Sequence, residues 1–540
     1  MSSTLFSDRL VTDDLTILLG LVAATVFLLN NLYKPQPLVH PILLGRQSDV
    51  GRARNAGESA IYRNYSTGLM GRFPVRPNKD VNVLADLVKV DVEGARTLWH
   101  TKITNSNLQD RAAALATGLV RLAGLLPKKS RVVMLMNDGI EFILSDLALA
   151  SLSIVSYTVS SAAVLSLVFD QHPTSAIITN AGFVPRLLTL IYRSKLKSSH
   201  MIIIAIGEVS HQVTASVPNN VQLLRFSDIE KDGYRTERVL VPLPRNSDAF
   251  SVSFEELSGE LQATKFTHEN VTAGVAATRA LLPASNALSA LDTVVSAYSL
   301  NTVYGRVVAY TAIYEGTSFA TLSTAWPNVM QEQMVDDLGD AISYKKCPIP
   351  SPTVLFVRTR HLETLVSQIH EEASRSSLYP LAIRHKKASI AEGFISKESL
   401  WDRLVFDGAR AKIIGEGAGT LRCVIVSGGK SNPLQSRTAL SVPLINCFTH
   451  GAVAGPVLAS HPFDLQDLPT SGFAHMGPPS VNVEVKLIGV DDSAIEKGGD
   501  PVGVMIVRGP SVGTQDGTDD GWLSTGIRFR VQANGAFQAV

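Results

Sequence analysis

The chain has 540 residues and a mass of 58.0 kDa, with 49 Lys and Arg against 48 Asp and Glu. Hydrophobic residues make up 45% and charged residues 18%, which describes a globular chain and excludes the disordered and fibrous classes. A formal charge of +1 gives nucleic acid no bulk attraction. Three cysteines without CxxC or CxxH spacing argue against a disulfide scaffold or a zinc site and fit a reducing, cytosol-facing setting.

From Leu15 to Leu29 the chain carries no charge, and Asn30, Asn31, Leu32 and Tyr33 precede Lys34 and Pro35. The 19 residues through Tyr33 approach the roughly 20 that a spanning helix needs, so residues 13–34 are predicted to form a retained single-pass membrane anchor. A cleaved signal peptide would start basic, whereas Asp8, Asp13 and Asp14 surround Arg9. An interfacial helix would need a charged face. Beyond the run, Arg46, Arg52, Arg54, Arg63, Arg72, Arg76 and Lys79 outnumber Asp49 and Glu58. This excess places that side in the cytosol and suits anionic lipid headgroups; it equally describes a solvated loop.

Residues 35–80, rich in Pro, Gly and Arg, read as a linker or an arm wrapping the body. Residues 81–477 alternate helix and strand patterns. Gln109 to Leu126 has helical spacing, Arg131 to Met136 is a buried strand, and Glu141 to Ile154 is a second apolar helix. Ala176 to Thr179 and Met201 to Ala205 are again strands, with helical Pro185 to Arg193 between them. Continuous apolar strands between helices predict an α/β body with parallel sheets sandwiched by helices. From 478 to 540 short alternating strands, Val481 to Ile488 and Val504 to Val507, predict a small β subdomain.

Four motifs tempt and fail. Gly429-Lys430-Ser431 lacks the earlier P-loop glycine, since Val424 stands there. Gly509-Pro510-Ser511-Val512-Gly513 matches GxSxG, but a turn sequence follows it instead of the helix a nucleophile elbow requires. His370-Glu371 has no second histidine for zinc, and Asp516 to Asp520 lacks the closing glutamate of a calcium loop.

Other segments share a pattern. Thr267-His268-Glu269-Asn270 with Ala273-Gly274, Tyr314-Glu315-Gly316, and Leu400-Trp401-Asp402-Arg403-Leu404-Val405-Phe406 leading to Ser427-Gly428-Gly429 occur in order. Val507-Arg508-Gly509-Pro510 and Asp520-Gly521-Trp522-Leu523-Ser524-Thr525-Gly526 complete the series. Together, from about residue 58 onward, they resemble the adenylate-forming (AMP-binding) superfamily and within it the long-chain acyl-CoA synthetases. The resemblance implies the large N-terminal domain of such an enzyme. It also implies chemistry in which a fatty acid and ATP-Mg give an acyl-adenylate that passes to coenzyme A. That chemistry needs a Ser/Thr/Gly loop ending in Pro-Lys-Gly for the triphosphate, a Glu for magnesium, an Asp for the ribose, and a Lys on a mobile C-terminal domain.

The sequence departs at each. The loop aligns with Ser253 to Ala263, where Gln262 takes the Lys position, Lys265 lies three residues on, and Glu255, Glu256 and Glu260 fall where phosphate oxygens would sit. The family's Tyr-Gly-x-Thr-Glu becomes Phe448-Thr449-His450-Gly451-Ala452, and the ribose Asp becomes Ile527. The chain stops at Val540, ahead of the family's hinge, so the mobile domain is expected to be absent. What remains of the nucleotide site is Ser258, Gly259, Gln262, Lys265, Thr267, Gly428, Gly429, Phe448 and Thr449, with no catalytic or metal-binding residue. Thr267, Gly428, Gly429 and Trp522 also have a purely structural reading as turns, helix starts and packing.

These departures predict a membrane-anchored, catalytically degenerate acyl-CoA-synthetase-like scaffold without a cofactor. Its expected partners are membrane lipids, a long-chain acyl group, or an active synthetase or other protein. The alternative is an active long-chain fatty acid–CoA ligase that uses ATP-Mg, with Glu255 or Glu256 for magnesium, Lys265 for phosphate and the C-terminal domain supplied by another chain.

Overall fold

The computed structural model describes residues 14–32, 38–39, 41–51, 54–92, 94–159, 164–193, 200–257, 260–321, 350–415, 417–429, 432–465, 474–516 and 520–540. Three sheets organise it. In the first, the parallel strands Val155–Val159, Arg131–Leu135, Ala176–Asn180, Met201–Ile206 and Val221–Arg225 lie side by side. Their side chains alternate between two cores. Val132, Met134, Ile178 and Ile204 face the large central core, while Val133, Leu135, Ile177 and Ile203 face a second one under the helix Val184–Arg193. Both faces are buried, which is why these strands read as unbroken apolar runs.

The second sheet has Thr293–Ser296, Val354–Arg358, Cys423–Ser427 and Leu444–Thr449 as parallel neighbours. Between the two sheets lie the helices Asn105–Arg121, Ile140–Ser151, His268–Arg279 and Val303–Glu315, which contribute buried residues to the central core. The third sheet is antiparallel and joins Glu484–Ile488, Val502–Arg508, Leu523–Val531 and Phe537–Ala539 to two strands from the N-terminal arm, Ser48–Val50 and Tyr62–Asn64. The segment read as a linker or a wrapping arm thus supplies two strands to the tail sheet. The tail in turn sends Thr514–Gln515 across to pair with Glu260–Thr267 at the edge of the first sheet.

The N-terminal apolar run forms the helix Asp14–Leu32, and Leu15, Ile17, Leu18, Leu19, Leu21, Val22, Phe27 and Leu28 are exposed on it. Residues 13, 33 and 34 of the expected anchor lie outside the described residues, and among the described residues no helix is long and apolar enough to cross a membrane. The strongly apolar stretch ends at Leu29, ahead of Asn30 and Asn31, and Leu15 to Leu29 rises about 22 Å as a helix, short of a hydrocarbon core of roughly 30 Å.

A buried polar cluster ties the layers together. Asp146 of Ile140–Ser151 accepts from the Tyr310 hydroxyl at 2.8 Å and pairs with Arg306 at 3.3 Å. Arg306 also donates to Ser251 Oγ and to the Leu300 carbonyl, both at 2.9 Å. Ser251 belongs to the strand Ala249–Leu257, so this cluster fixes that strand against two helices. Breaking a buried pair of this kind leaves an uncompensated charge.

The helices Asn105–Arg121 and Phe226–Arg235 cross at two glycines. A Cβ at Gly233 would overlap the Ala114 carbonyl, whose carbon lies 2.6 Å from that position, and one at Gly118 would fall 2.8 Å from the Ile229 carbonyl carbon. Gly233→Ala is therefore expected to destabilise the protein by about 1–3 kcal/mol, the usual cost of overpacking. Thermal or urea unfolding checks this, and an unchanged midpoint would contradict the close approach.

Candidate functional site

The carboxyl ends of the four parallel strands in the second sheet converge in one crevice, the place where open α/β sheets hold ligands. The side chains there bond to one another. The Tyr298 hydroxyl donates to the Val357 carbonyl at 3.1 Å and is bonded to Ser427 Oγ, which meets Thr449 Oγ1 at 3.1 Å. Burial pushes the Tyr298 phenol up to about 12, so it is a neutral donor near pH 7. The Arg358 guanidinium lies over the Tyr298 ring, 5.8 Å from its centroid, with no carboxylate partner among the described residues. Gly428 has φ +94°, a conformation that only glycine adopts without strain, and so lets the chain turn away immediately after Ser427.

Next to this crevice, the segment aligned by resemblance with a phosphate loop is a β-hairpin. Ala249–Leu257 and Glu260–Thr267 pair antiparallel through Phe254↔Ala263, Glu255↔Gln262, Glu256↔Leu261 and Leu257↔Glu260. Only positions 258 and 259 connect the two strands, and Ser258 and Gly259 lie outside the described residues. The amides facing across the hairpin are committed to its ladder. Val155–Val159 and Thr514–Gln515 pair with its outer edges over Ser251–Phe254 and Thr264–Lys265.

Strand alternation sorts the side chains of this hairpin. Glu255 and Gln262 are cross-strand partners on one face, and Lys265 projects from the other. Gln262 Nε2 donates to Gln515 Oε1 at 2.9 Å, while Lys265, mostly exposed, has Asp516 at 3.8 Å. Bringing Lys265 to the Gln262 side would need a slip of register, which would turn every neighbour over as well. Glu256 and Glu260 are exposed.

Glu255 instead reaches the segment that aligns with the family's magnesium motif. Its carboxyl group rests against Gly451, where a Cβ would overlap it, with Oε2 2.6 Å from that position. Burial raises the pKa of this carboxyl above the ordinary glutamate range. Beside it, Ala452 is buried, donates its N–H to His450 Nδ1 at 3.2 Å and accepts from Gly513 N at 2.9 Å. Among the described residues no three His, Cys, Asp or Glu side chains gather as a metal site.

The remaining sequence-derived positions scatter. Thr267 caps the helix His268–Arg279: its hydroxyl accepts from Asn270 N, and the Asn270 side chain accepts from Thr267 N. Asn270 Nδ2 also donates to the carbonyls of Pro510 and Val512, so the GxSxG turn is held by this cap, and Ser511 within it is fully buried. Phe448 turns into the core beneath the third sheet, 5.0 Å from the Phe529 ring, whereas Thr449 faces the crevice. Ile527 is exposed. Trp522 is flanked by Arg508 at 4.7 Å and Lys486 at 5.1 Å from its ring centroid. Thus Gly428, Gly429 and Thr449 share the crevice, while Gln262, Lys265, Thr267 and Phe448 do not meet there. Sequence reasoning missed Tyr298 and Arg358, which no motif marks, and Ser427, whose signal was its place before Gly428.

No family model matches the chain. It is 26% identical over 337 residues to mouse long-chain-fatty-acid–CoA ligase 5, covering 59% of this chain and 46% of the relative. It is 23% identical over 408 residues to human long-chain-fatty-acid–CoA ligase 1, covering 72% and 53%. The chain thus spans about half the length of these curated relatives. The anthranilate CoA ligase AuaEII, solved with anthranoyl-AMP, superposes with a TM-score of 0.60 at 13% identity, covering 86% of this chain and 78% of that one. A long-chain-fatty-acid–CoA ligase from Archaeoglobus fulgidus gives 0.58 at 12% identity, covering 87% and 84%. The fold is that of the adenylate-forming, long-chain acyl-CoA synthetase-like proteins.

Contact between Glu255 and Gly451 gives a direct test of the hairpin's placement. Gly451→Ala is expected to destabilise by about 1–3 kcal/mol through overlap with the carboxyl group. Glu255→Ala should relieve most of that loss in the double variant, since contacting residues couple. Additive losses in a double-mutant cycle would place the two residues apart.

Proposed function

We propose that this protein keeps the acyl-CoA-synthetase-like fold as a binding scaffold and does not carry out ATP-dependent ligation by the family's route. The observation that carries this reading is the closed hairpin with Glu255 at its side. A triphosphate loop works by aiming free backbone amides and hydroxyls at phosphate oxygens. Here the amides facing across the hairpin are paired with one another along the ladder. Glu255 adds a carboxylate that would repel each nearby phosphate charge by on the order of 1 to 4 kcal/mol in a wet site. At the aligned magnesium position Ala452 has no oxygen ligand to offer on its side chain. The residues present do not fit ATP-Mg.

The crevice retains groups suited to a different guest. Arg358, which has no carboxylate partner among the described residues, can pair with a carboxylate, and the relatives named above act on long-chain fatty acids. A long-chain acyl group is therefore the ligand this reading assigns. The exposed apolar side chains of Asp14–Leu32 suit a lipid partner outside the body.

Calorimetric titration of the full chain separates this reading from ligation. ATP-Mg is expected to give no binding heat, with or without a long-chain fatty acid, and the fatty acid alone is expected to bind. Micromolar to low-millimolar ATP-Mg binding accompanied by acyl-adenylate would overturn the proposal.

A further inference from the structure

Away from the crevice, a cavity of about 250 Å³ opens between the helix Tyr379–Ala391, the segment following it, and the end of the helix Pro433–Leu440. Its walls include His385, Lys386, Ser389, Arg437 and Ser441, with Glu392 the carboxylate among them. Glu392 is exposed, so water screens it.

Buried cations outnumber buried anions around this space. Asp402, fully buried, accepts from Lys386 Nζ at 2.6 and 2.8 Å, from Arg410 Nη2 at 2.8 Å and from Ser441 Oγ at 3.1 Å. One carboxylate therefore serves two buried cations, and among the described residues the only other acid on Arg410, Asp407, is half exposed. Arg437 adds a third cation. It is 1% exposed and has no ion pair among the described residues. Its contacts are the carbonyls of Leu444, Asp464 and Leu465, and its Nε has no partner. The Asp464 carboxylate is turned instead to Gln47 at 3.0 Å and His475 at 3.3 Å. Asp464 acts on this guanidinium only from beyond ion-pair distance, so its burial remains costly, and an anion placed nearby offsets that cost.

We infer that this cavity is an oxyanion site for phosphate, free or as a small monoester. The buried charge of Arg437, which no ion pair among the described residues neutralises, supplies the attracting field with Lys386 beside it. Lys386 has spent its three donors on Asp402 and the Ser396 carbonyl, so it contributes charge and not direction. Hydrogen bonds to the anion come from Ser389, whose hydroxyl makes no other bond among the described residues, and from the exposed His385 ring at the rim. The volume admits a phosphate with a short ester arm, and Ile390, Phe394 and Ile395 in the same wall give that arm an apolar surface. The nucleotide-site residues discussed above take no part.

The test titrates the full chain with inorganic phosphate, with glycerol 3-phosphate, and with potassium chloride at matched ionic strength, read by calorimetry and thermal midpoint. Both phosphate probes are expected to bind and to raise the midpoint, while chloride does neither. Tenfold tighter binding of the ester would identify a monoester as the ligand, and equal binding the free anion; both support the site. Ser389→Asp and, at the exposed rim, His385→Glu should each weaken phosphate at least tenfold, because each puts a carboxylate in the anion's place. Absence of phosphate binding, or binding that both folded variants retain, overturns the assignment.

Discussion

The paired ladder between Ala249–Leu257 and Glu260–Thr267 is the constraint on which the proposed reading depends. By its resemblance this stretch would hold a triphosphate, which needs backbone groups left unpaired. Here the two strands run in register to a two-residue connection, and their outer edges are taken by Val155–Val159 and Thr514–Gln515. A ladder of this length is a rigid element, and the side chains on it are confined to one face or the other. Glu255 is thereby delivered to Gly451, and Lys265 is kept from it.

The surroundings hold the hairpin from several directions. Arg306 binds Ser251 at one end and Asp146 within the body. Asn270, which completes the cap on Thr267, also grips the turn at Pro510 and Val512, and Gly513 bonds back to Ala452. The tail that supplies the third sheet therefore also stitches the hairpin to the loop carrying Gly451 and Ala452. Residues that read as nucleotide-binding in pattern act as connectors in the fold. Thr267 caps a helix, Gly428 makes a turn, and Phe448 fills the core beneath the third sheet.

Much of the body was legible because its physics is local. Arg131 to Met136 and Met201 to Ala205 are apolar on successive residues because both faces of their sheet are covered, and the structure has strands Arg131–Leu135 and Met201–Ile206 there. The N-terminal run approaches spanning length only when Asn30 to Tyr33 are counted with it, since its strongly apolar stretch ends at Leu29. Val252-Ser253-Phe254-Glu255 alternates as a strand does, a local signal for the hairpin that the resemblance to a phosphate loop overrides. The two strands lent by the arm to the tail sheet, and the meeting of Tyr298, Ser427 and Thr449, join residues too far apart in sequence for any local signal to pair them.

Amide hydrogen exchange across residues 249–267 in the unliganded full chain tests the central claim most directly. A closed ladder requires slow exchange of the cross-strand amides through Leu257 and Glu260, with protection comparable to that of Arg131–Leu135 in the same sheet. Rapid exchange from Ser253 to Ala263, with protection appearing on addition of ATP-Mg, would show an open phosphate loop and contradict the account.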